Sequence, residues 1–291
     1  MALRITIDIF SGRPNPVLVL EGPEEKEALD RLRPEAELRG REVRPLPAST
    51  LGYRGLIVEL SGRATRGLPK EFRVANGDVL AGDFAARPAD PSFEEFVCGS
   101  TGPIRRISRE PALSDFILKE IKRLDDLRDH WKPRRPDWPR REHCRCAPLY
   151  EPDWWNVPAI QPHNNCYNYG CDYRTDTFAQ PGRAAGAMYT ALTCASVRPA
   201  AVADDLINSP NANNRCPREG HLVALVIAPG LDYHWFRKGR NGYWSHKPGP
   251  TAVTNLDNSG VTIPDPRTAD RGPYTQFCTF MVVMHGHVKI D

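Results

Sequence analysis

Three features of the sequence predict an α+β fold. A strictly alternating strand opens the chain, an amphipathic helix runs up to about residue 129, and a short helix precedes a set of strand-like runs in the final part. Residues 3–10 place Leu3, Ile5, Ile7 and Ile9 on one face and Arg4, Thr6 and Asp8 on the other, as a half-buried strand does. Ser11 to Pro16 (SGRPNP) is a turn cluster, and residues 17–20 read as a second strand. Pro23 opens a short helix through Ala28, Leu29 and Leu32. Strand material follows at 56–60, 72–74 and 79–80, the last two parted by the hairpin signal Asn76-Gly77. After Pro111, the residues Leu113, Phe116, Ile117, Ile121, Leu124 and Leu127 recur at helical spacing, with charged residues opposite. This first part, 1–129, reads as a small α+β scaffold or recognition unit.

Residues 130–163 change character. Proline recurs, and Trp131, Trp138, Trp154 and Trp155 are concentrated there, which predicts an extended linker wrapping a domain surface. The remaining residues, 164–291, form the second domain. Asn164 and Asn165 cap a helix that starts at Cys166. A small-residue helical face is expected at 184–192 and a further helix at 200–207. Strands follow at 221–228, 233–237, 243–246 and 276–284, with a tight turn at Asn241-Gly242.

Composition bounds the function. At 291 residues, with 40% hydrophobic residues, the chain can bury a proper core. A net charge of only +3 argues against nucleic acid as the main partner. The most basic run, 132–141 (KPRRPDWPRR), reads as a solvated linker. No stretch approaches the roughly 18 apolar residues of a membrane span. The start MALRITIDIF lacks the pattern of a secretory signal, so the expected compartment is the cytoplasm. There the eight cysteines would be thiols, metal ligands or nucleophiles more often than disulfides.

The chemistry centres on Cys166. A thiol in the first turn of a helix is favoured as thiolate by the dipole, and a neighbouring base activates it. His234 opens one strand and His246 closes the next, so the hairpin makes them neighbours, one as base and one as orienter. His221, beside Gly220, is the alternative base, with His234 then as orienter. The order of these residues resembles the NlpC/P60 and CHAP group of papain-like cysteine peptidases and amidases. The resemblance is carried by Asn165-Cys166-Tyr167-Asn168-Tyr169, which is similar to that group's nucleophile segment. Gly220-His221-Leu222-Val223 stands where the group has a Gly-Asp-Leu-Val strand. It covers about the last 130 residues and lacks the common Asp-Cys-Ser-Gly form.

The resemblance implies a papain-like helix-then-sheet domain and attack by the Cys166 thiolate on a peptide, amide or ester carbonyl. His234 would move the proton and His246 would hold the imidazole. The oxyanion would be met by the Cys166 amide and by Asn164 or Asn165. Arg237 and Lys247 are candidates for a substrate carboxylate, and Trp235 for packing or substrate contact. No cofactor is expected. Two rivals belong to other classes. One is a non-catalytic binding module of the same fold. The other is a zinc protein using His143, Cys144, Cys146 and Cys216, or the terminal His285-Gly286-His287.

Overall fold

The computed structural model describes residues 2–39, 50–61, 67–107, 111–130 and 144–291. The basic run 132–141, Trp131, Trp138 and His143 lie outside them. The molecule is α+β. It divides into two compact units, the first of Met1–Ile9, Asn15–Leu46 and Tyr53–His130, the second of Phe10–Pro14, Pro47–Gly52 and Trp131–Asp291.

In the first unit the alternating opening strand is β1 (Ala2–Ile7), with Leu3, Ile5 and Ile7 buried. β2 (Val17–Glu21), helix α1 (Pro23–Leu32), β3 (Pro34–Glu37), β4 (Leu56–Ser61), β5 (Glu71–Ala75), β6 (Asp78–Ala81) and β7 (Phe84–Pro88) follow. They build a seven-stranded antiparallel sheet in the order β2-β1-β4-β5-β6-β7-β3. The β5–β6 hairpin turns at Asn76-Gly77, both at positive φ as a two-residue turn of this hand requires. Helices α2 (Phe93–Cys98) and α3 (Pro111–His130) complete the unit, and α3 buries Leu113, Ile117, Ile121 and Leu124. Beneath the end of β1 the carboxylate of Asp8 is fully buried between Arg54, at 2.6 Å, and Arg73, at 2.8 Å. Burial alone would raise its pKa, but the two guanidinium groups outweigh that and hold it at about 2.

The second unit contains α4 (Pro152–Trp155), α5 (Cys166–Cys171), α6 (Cys194–Ala203) and a five-stranded antiparallel sheet. Its strands are β8 (Ile207–Asn208), β9 (His221–Ala228), β10 (Asp232–Lys238), β11 (Trp244–His246) and β12 (Gln276–Val283), in the order β11-β10-β9-β12-β8. β9 and β10 are buried along their whole length, so both faces of the sheet are covered. One face carries Val223, Leu225, Ile227, Tyr233, Trp235, Met281 and Val283 and packs against α5 and α6. The other carries Leu222, Ala224, Val226, Phe236, Trp244 and Phe280 and packs against Ile263 and Tyr274.

Several sequence expectations need correction here. Residues 184–192 form a turn followed by irregular, bent backbone, not a helical face. Gly182 sits at φ 79° and a Cβ there would lie 2.2 Å from the Ala187 carbonyl, so the chain doubles back where a helix would run on. The helix expected at 200–207 is α6, which ends at Ala203, and Ile207 is already in a strand. Of the tryptophans at the entry to the unit, Trp155 is buried and Trp154 is exposed.

The cysteines differ most from expectation. Cys144 pairs with Cys216, and Cys194 with Cys278. These bridges close separations of 72 and 84 residues. Cys278 lies at the bulge where the register of β12 against β9 shifts. The first bridge also removes two of the four candidate zinc ligands. Cys98, Cys146, Cys166 and Cys171 remain as thiols, of which only Cys146 is exposed.

Candidate functional site

The site predicted around Cys166 begins with a helix start of the expected kind. Asn165 caps α5, its side-chain oxygen accepting the amides of Tyr167 and Asn168, and Asn168 answers on the Asn165 amide. Gly170 lets this short helix lie close on β10, since a Cβ there would be 3.2 Å from the Trp235 Cβ. Cys166 therefore sits in the first turn, as predicted, but is fully buried among Tyr167, Tyr233 and Trp235. Its Sγ donates to the Tyr233 carbonyl at 4.0 Å. Burial pushes the thiol pKa well up and the Asp232 carboxylate adds to the rise, so the helix start does not produce a thiolate.

The two histidines meet as the hairpin predicts. β10 pairs with β11 through Phe236 opposite His246, which sets His234 diagonally across from His246. His234 Nε2 and His246 Nδ1 are 2.9 Å apart, and His246 Nε2 is 2.9 Å from the Leu256 carbonyl. A carbonyl only accepts, so His246 carries its proton on Nε2 and His234 donates from Nε2 to His246 Nδ1. Burial holds His246 at about 4, hence neutral.

The thiol and the histidine pair are nevertheless not assembled. Cys166 packs on the face of β10 that carries Tyr233 and Trp235. His234 points to the opposite face, where its ring meets Phe236 and Tyr274. Successive side chains of a strand point to opposite faces, so the sheet itself lies between thiol and imidazole. The structure brings together two of the three predicted triad residues and leaves Cys166 apart. His221, the alternative base, is also buried. Its Nε2 bonds the Gly170 carbonyl at 2.7 Å, its ring packs on that of His285, and burial holds it at about 3.

The predicted oxyanion and substrate residues have structural partners as well. Asn164 donates to the Ile160 carbonyl and to Asp176 at 2.6 Å, and Asn165 donates to the carbonyls of Gly12 and Ala179. Arg237 is buried, ion-paired with Asp172, bonded to the Leu149 carbonyl and stacked on Tyr169 with 3.8 Å to the ring centre. Lys247 is buried with Nζ on the carbonyls of Gln161 and Gly249, each at 2.7 Å. Trp235 packs against Tyr167 with ring centres 5.3 Å apart. Both cations, candidates from sequence for a substrate carboxylate, thus brace the fold from within. Among the described residues no group of three or more His, Cys, Asp or Glu side chains is placed to hold a metal ion.

A constellation the sequence did not signal lies beside α5. Asp232, fully buried, accepts the amides of Ser11 and Gly12 and, at 2.6 Å, the hydroxyl of Tyr274. Asn165, Gln180 and Tyr233 converge on the carbonyl of Gly12. The only local sign was the turn cluster SGRPNP, which carries no mark of a partner more than 150 residues away.

Fold and site together define a two-unit α+β protein with two disulfides and three buried thiols, Cys166 among them. No protein-family model matches the chain, and no solved structure matches it. Over 140 residues, 47% of this chain and 91% of the relative, it is 47% identical to "Insoluble matrix shell protein 1" of Ruditapes philippinarum. The chain belongs to the family of that shell protein.

Proposed function

We propose that this chain is a non-catalytic, disulfide-braced protein of an oxidising compartment, serving as a structural or binding component. The observation that carries this reading is the separation of Cys166 from His234 by the sheet, with the thiol buried and its pKa raised. The cysteine-hydrolase chemistry implied by the NlpC/P60 resemblance needs thiolate and base within hydrogen-bond reach of one carbonyl. No substrate can stand between two faces of a packed sheet. Two disulfides favour an oxidising compartment over the cytoplasm expected from the N-terminal residues. The relative's name describes an insoluble shell matrix, and a structural role of that kind is the one we assign here. No helix among the described residues is long and apolar enough to cross a membrane.

The test is native alkylation with iodoacetamide at pH 7, read per cysteine by mass spectrometry. Cys146 should react, while Cys98, Cys166 and Cys171 should stay unmodified until the chain is unfolded. Rapid modification of Cys166 in the folded chain, ahead of Cys146, would reject the non-catalytic reading.

A further inference from the structure

The second unit receives the segment Phe10–Pro14 in the manner of a bound peptide. Residues on both sides of the segment belong to the first unit. Phe10 and Ser11 are buried. The Gly12 carbonyl accepts from Asn165 Nδ2, Gln180 Nε2 and Tyr233 Oη, each at 2.8 Å. A carbonyl oxygen has two lone pairs, so three converging donors saturate it. The two preceding donors of the same turn, the Ser11 and Gly12 amides, both go to Asp232 Oδ2, the latter at 3.1 Å.

Every one of these contacts is to main chain. Specificity comes from what is missing: a Cβ on Gly12 would lie 2.5 Å from the Tyr233 ring. Beside it the Arg13 guanidinium lies over the Phe10 ring, 4.0 Å from its centre, which holds the turn in shape. Phe10 is itself held close, since a Cβ on Gly249 would lie 2.5 Å from the Phe10 carbonyl. In peptide-binding sites main-chain hydrogen bonds supply affinity and the shape of the pocket supplies specificity, and here the shape admits only glycine at position 12.

We propose that Asn165, Gln180, Asp232, Tyr233 and Tyr274 form a receptor for a Phe-Ser-Gly-Arg peptide turn. Here the chain's own residues 10–14 fill it, and the same turn on another molecule fills it when the resident one is withdrawn. This binding activity is independent of whether Cys166 has any chemistry, so peptide binding and thiol reactivity succeed or fail separately.

The experiment uses the full chain carrying Gly12→Ala, whose own turn cannot seat against Tyr233. A fluorescein-labelled peptide of residues 10–16 is titrated and followed by anisotropy. The variant should bind it saturably, wild type at least about tenfold more weakly because its receptor is filled, and a peptide with alanine at the glycine position not at all. A folded Gly12→Ala chain that binds neither peptide, or both equally, overturns the proposal. Should that variant not fold, amide hydrogen exchange on the wild-type chain decides. The Ser11 and Gly12 amides should exchange at least about tenfold faster than those of β9, through local withdrawal of the turn. Exchange of all of them at one global rate means the turn never leaves, and the receptor proposal fails.

Discussion

His221 and His246 should make the stability of the second unit fall steeply in mild acid. Both are fully buried, and burial lowers them from an ordinary 6.5 to about 3 and about 4 respectively. The folded state therefore keeps both neutral while the unfolded chain takes up protons below 6.5. Where the unfolded state binds more protons, stability rises with pH. The contribution is thus complete above 6.5 and is lost progressively as pH falls toward 4 and 3. pH 4 lies 2.5 units below the ordinary value of His221, which at about 1.4 kcal/mol per unit is about 3.5 kcal/mol. His246 adds nearly as much, and the sum of about 6 kcal/mol is comparable to the whole net stability of a typical domain.

Among the described residues three carboxylates oppose this. Asp204, Asp232 and Asp257 are raised by burial, so they favour the folded state in acid. A wild-type curve alone therefore mixes two signs. The discriminating assay is urea unfolding, followed by tryptophan fluorescence, of wild type and of His221→Gln at half-unit steps from pH 7 to 4. Glutamine keeps a donor for the Gly170 carbonyl but cannot titrate. The stability difference between the two chains should itself change by about 1.4 kcal/mol per pH unit between pH 6 and 4, the signature of one proton. A difference that is constant across that range would refute the assignment of His221 as a buried neutral imidazole.

Other expectations follow from the same contacts. Asp8, held at about 2 against an ordinary 3.8, should contribute about 2.5 kcal/mol above pH 3.8 that is lost as pH falls through 2; Arg54→Met should cost about 3 kcal/mol by leaving that buried carboxylate with Arg73 as its one remaining cation, measurable as a shift in the denaturation midpoint. Each disulfide closes a loop long enough for a chain-entropy contribution of about 4 kcal/mol, so dithiothreitol should lower the urea midpoint of the second unit, and an unchanged midpoint would contradict the pairing. Gly170→Ala brings a Cβ to 3.2 Å from Trp235 and should destabilise by about 1–2 kcal/mol despite alanine's better helix propensity; a more stable variant would show that α5 can move off the strand freely.

Local signals in the sequence read well, and long-range ones did not. The Asn165 cap, the Asn76-Gly77 hairpin and the strands β1, β9 and β10 are each decided by residues within a few positions. So is the meeting of His234 and His246, which needs only one hairpin. The alanines of 184–192 favour the helical face expected there, while Gly182 just before the stretch and Gly186 within it, both at positive φ, decide a turn instead. The disulfides join residues 72 and 84 apart, and spacing does not determine connectivity among eight cysteines. The pairing of Gly12 with Tyr233 spans 221 residues and leaves no periodic trace.

The side of the sheet on which α5 lies was the decisive unknown, and there is a physical reason it could not be read. A strand with one wet face announces its buried side by alternation. β10, Asp-Tyr-His-Trp-Phe-Arg-Lys, is buried on both faces, and its charges are consumed internally: Asp232 by the Ser11 and Gly12 amides, Arg237 by Asp172. Either face could receive the helix, and one choice would place Cys166 beside His234 while the other places it beside Tyr233 and Trp235. The asparagines around Cys166 explain why the segment nevertheless looks like a nucleophile box. Asn164, Asn165 and Asn168 are fully buried and spend their amides on the backbone of residues 12, 160, 173 and 179, on the side chains of Thr175 and Asp176, and on one another. Tight capping of a short buried helix demands the same residues whether the thiol at its start attacks a carbonyl or fills a core. Position relative to the sheet separates those outcomes, and here it places the thiol in the core.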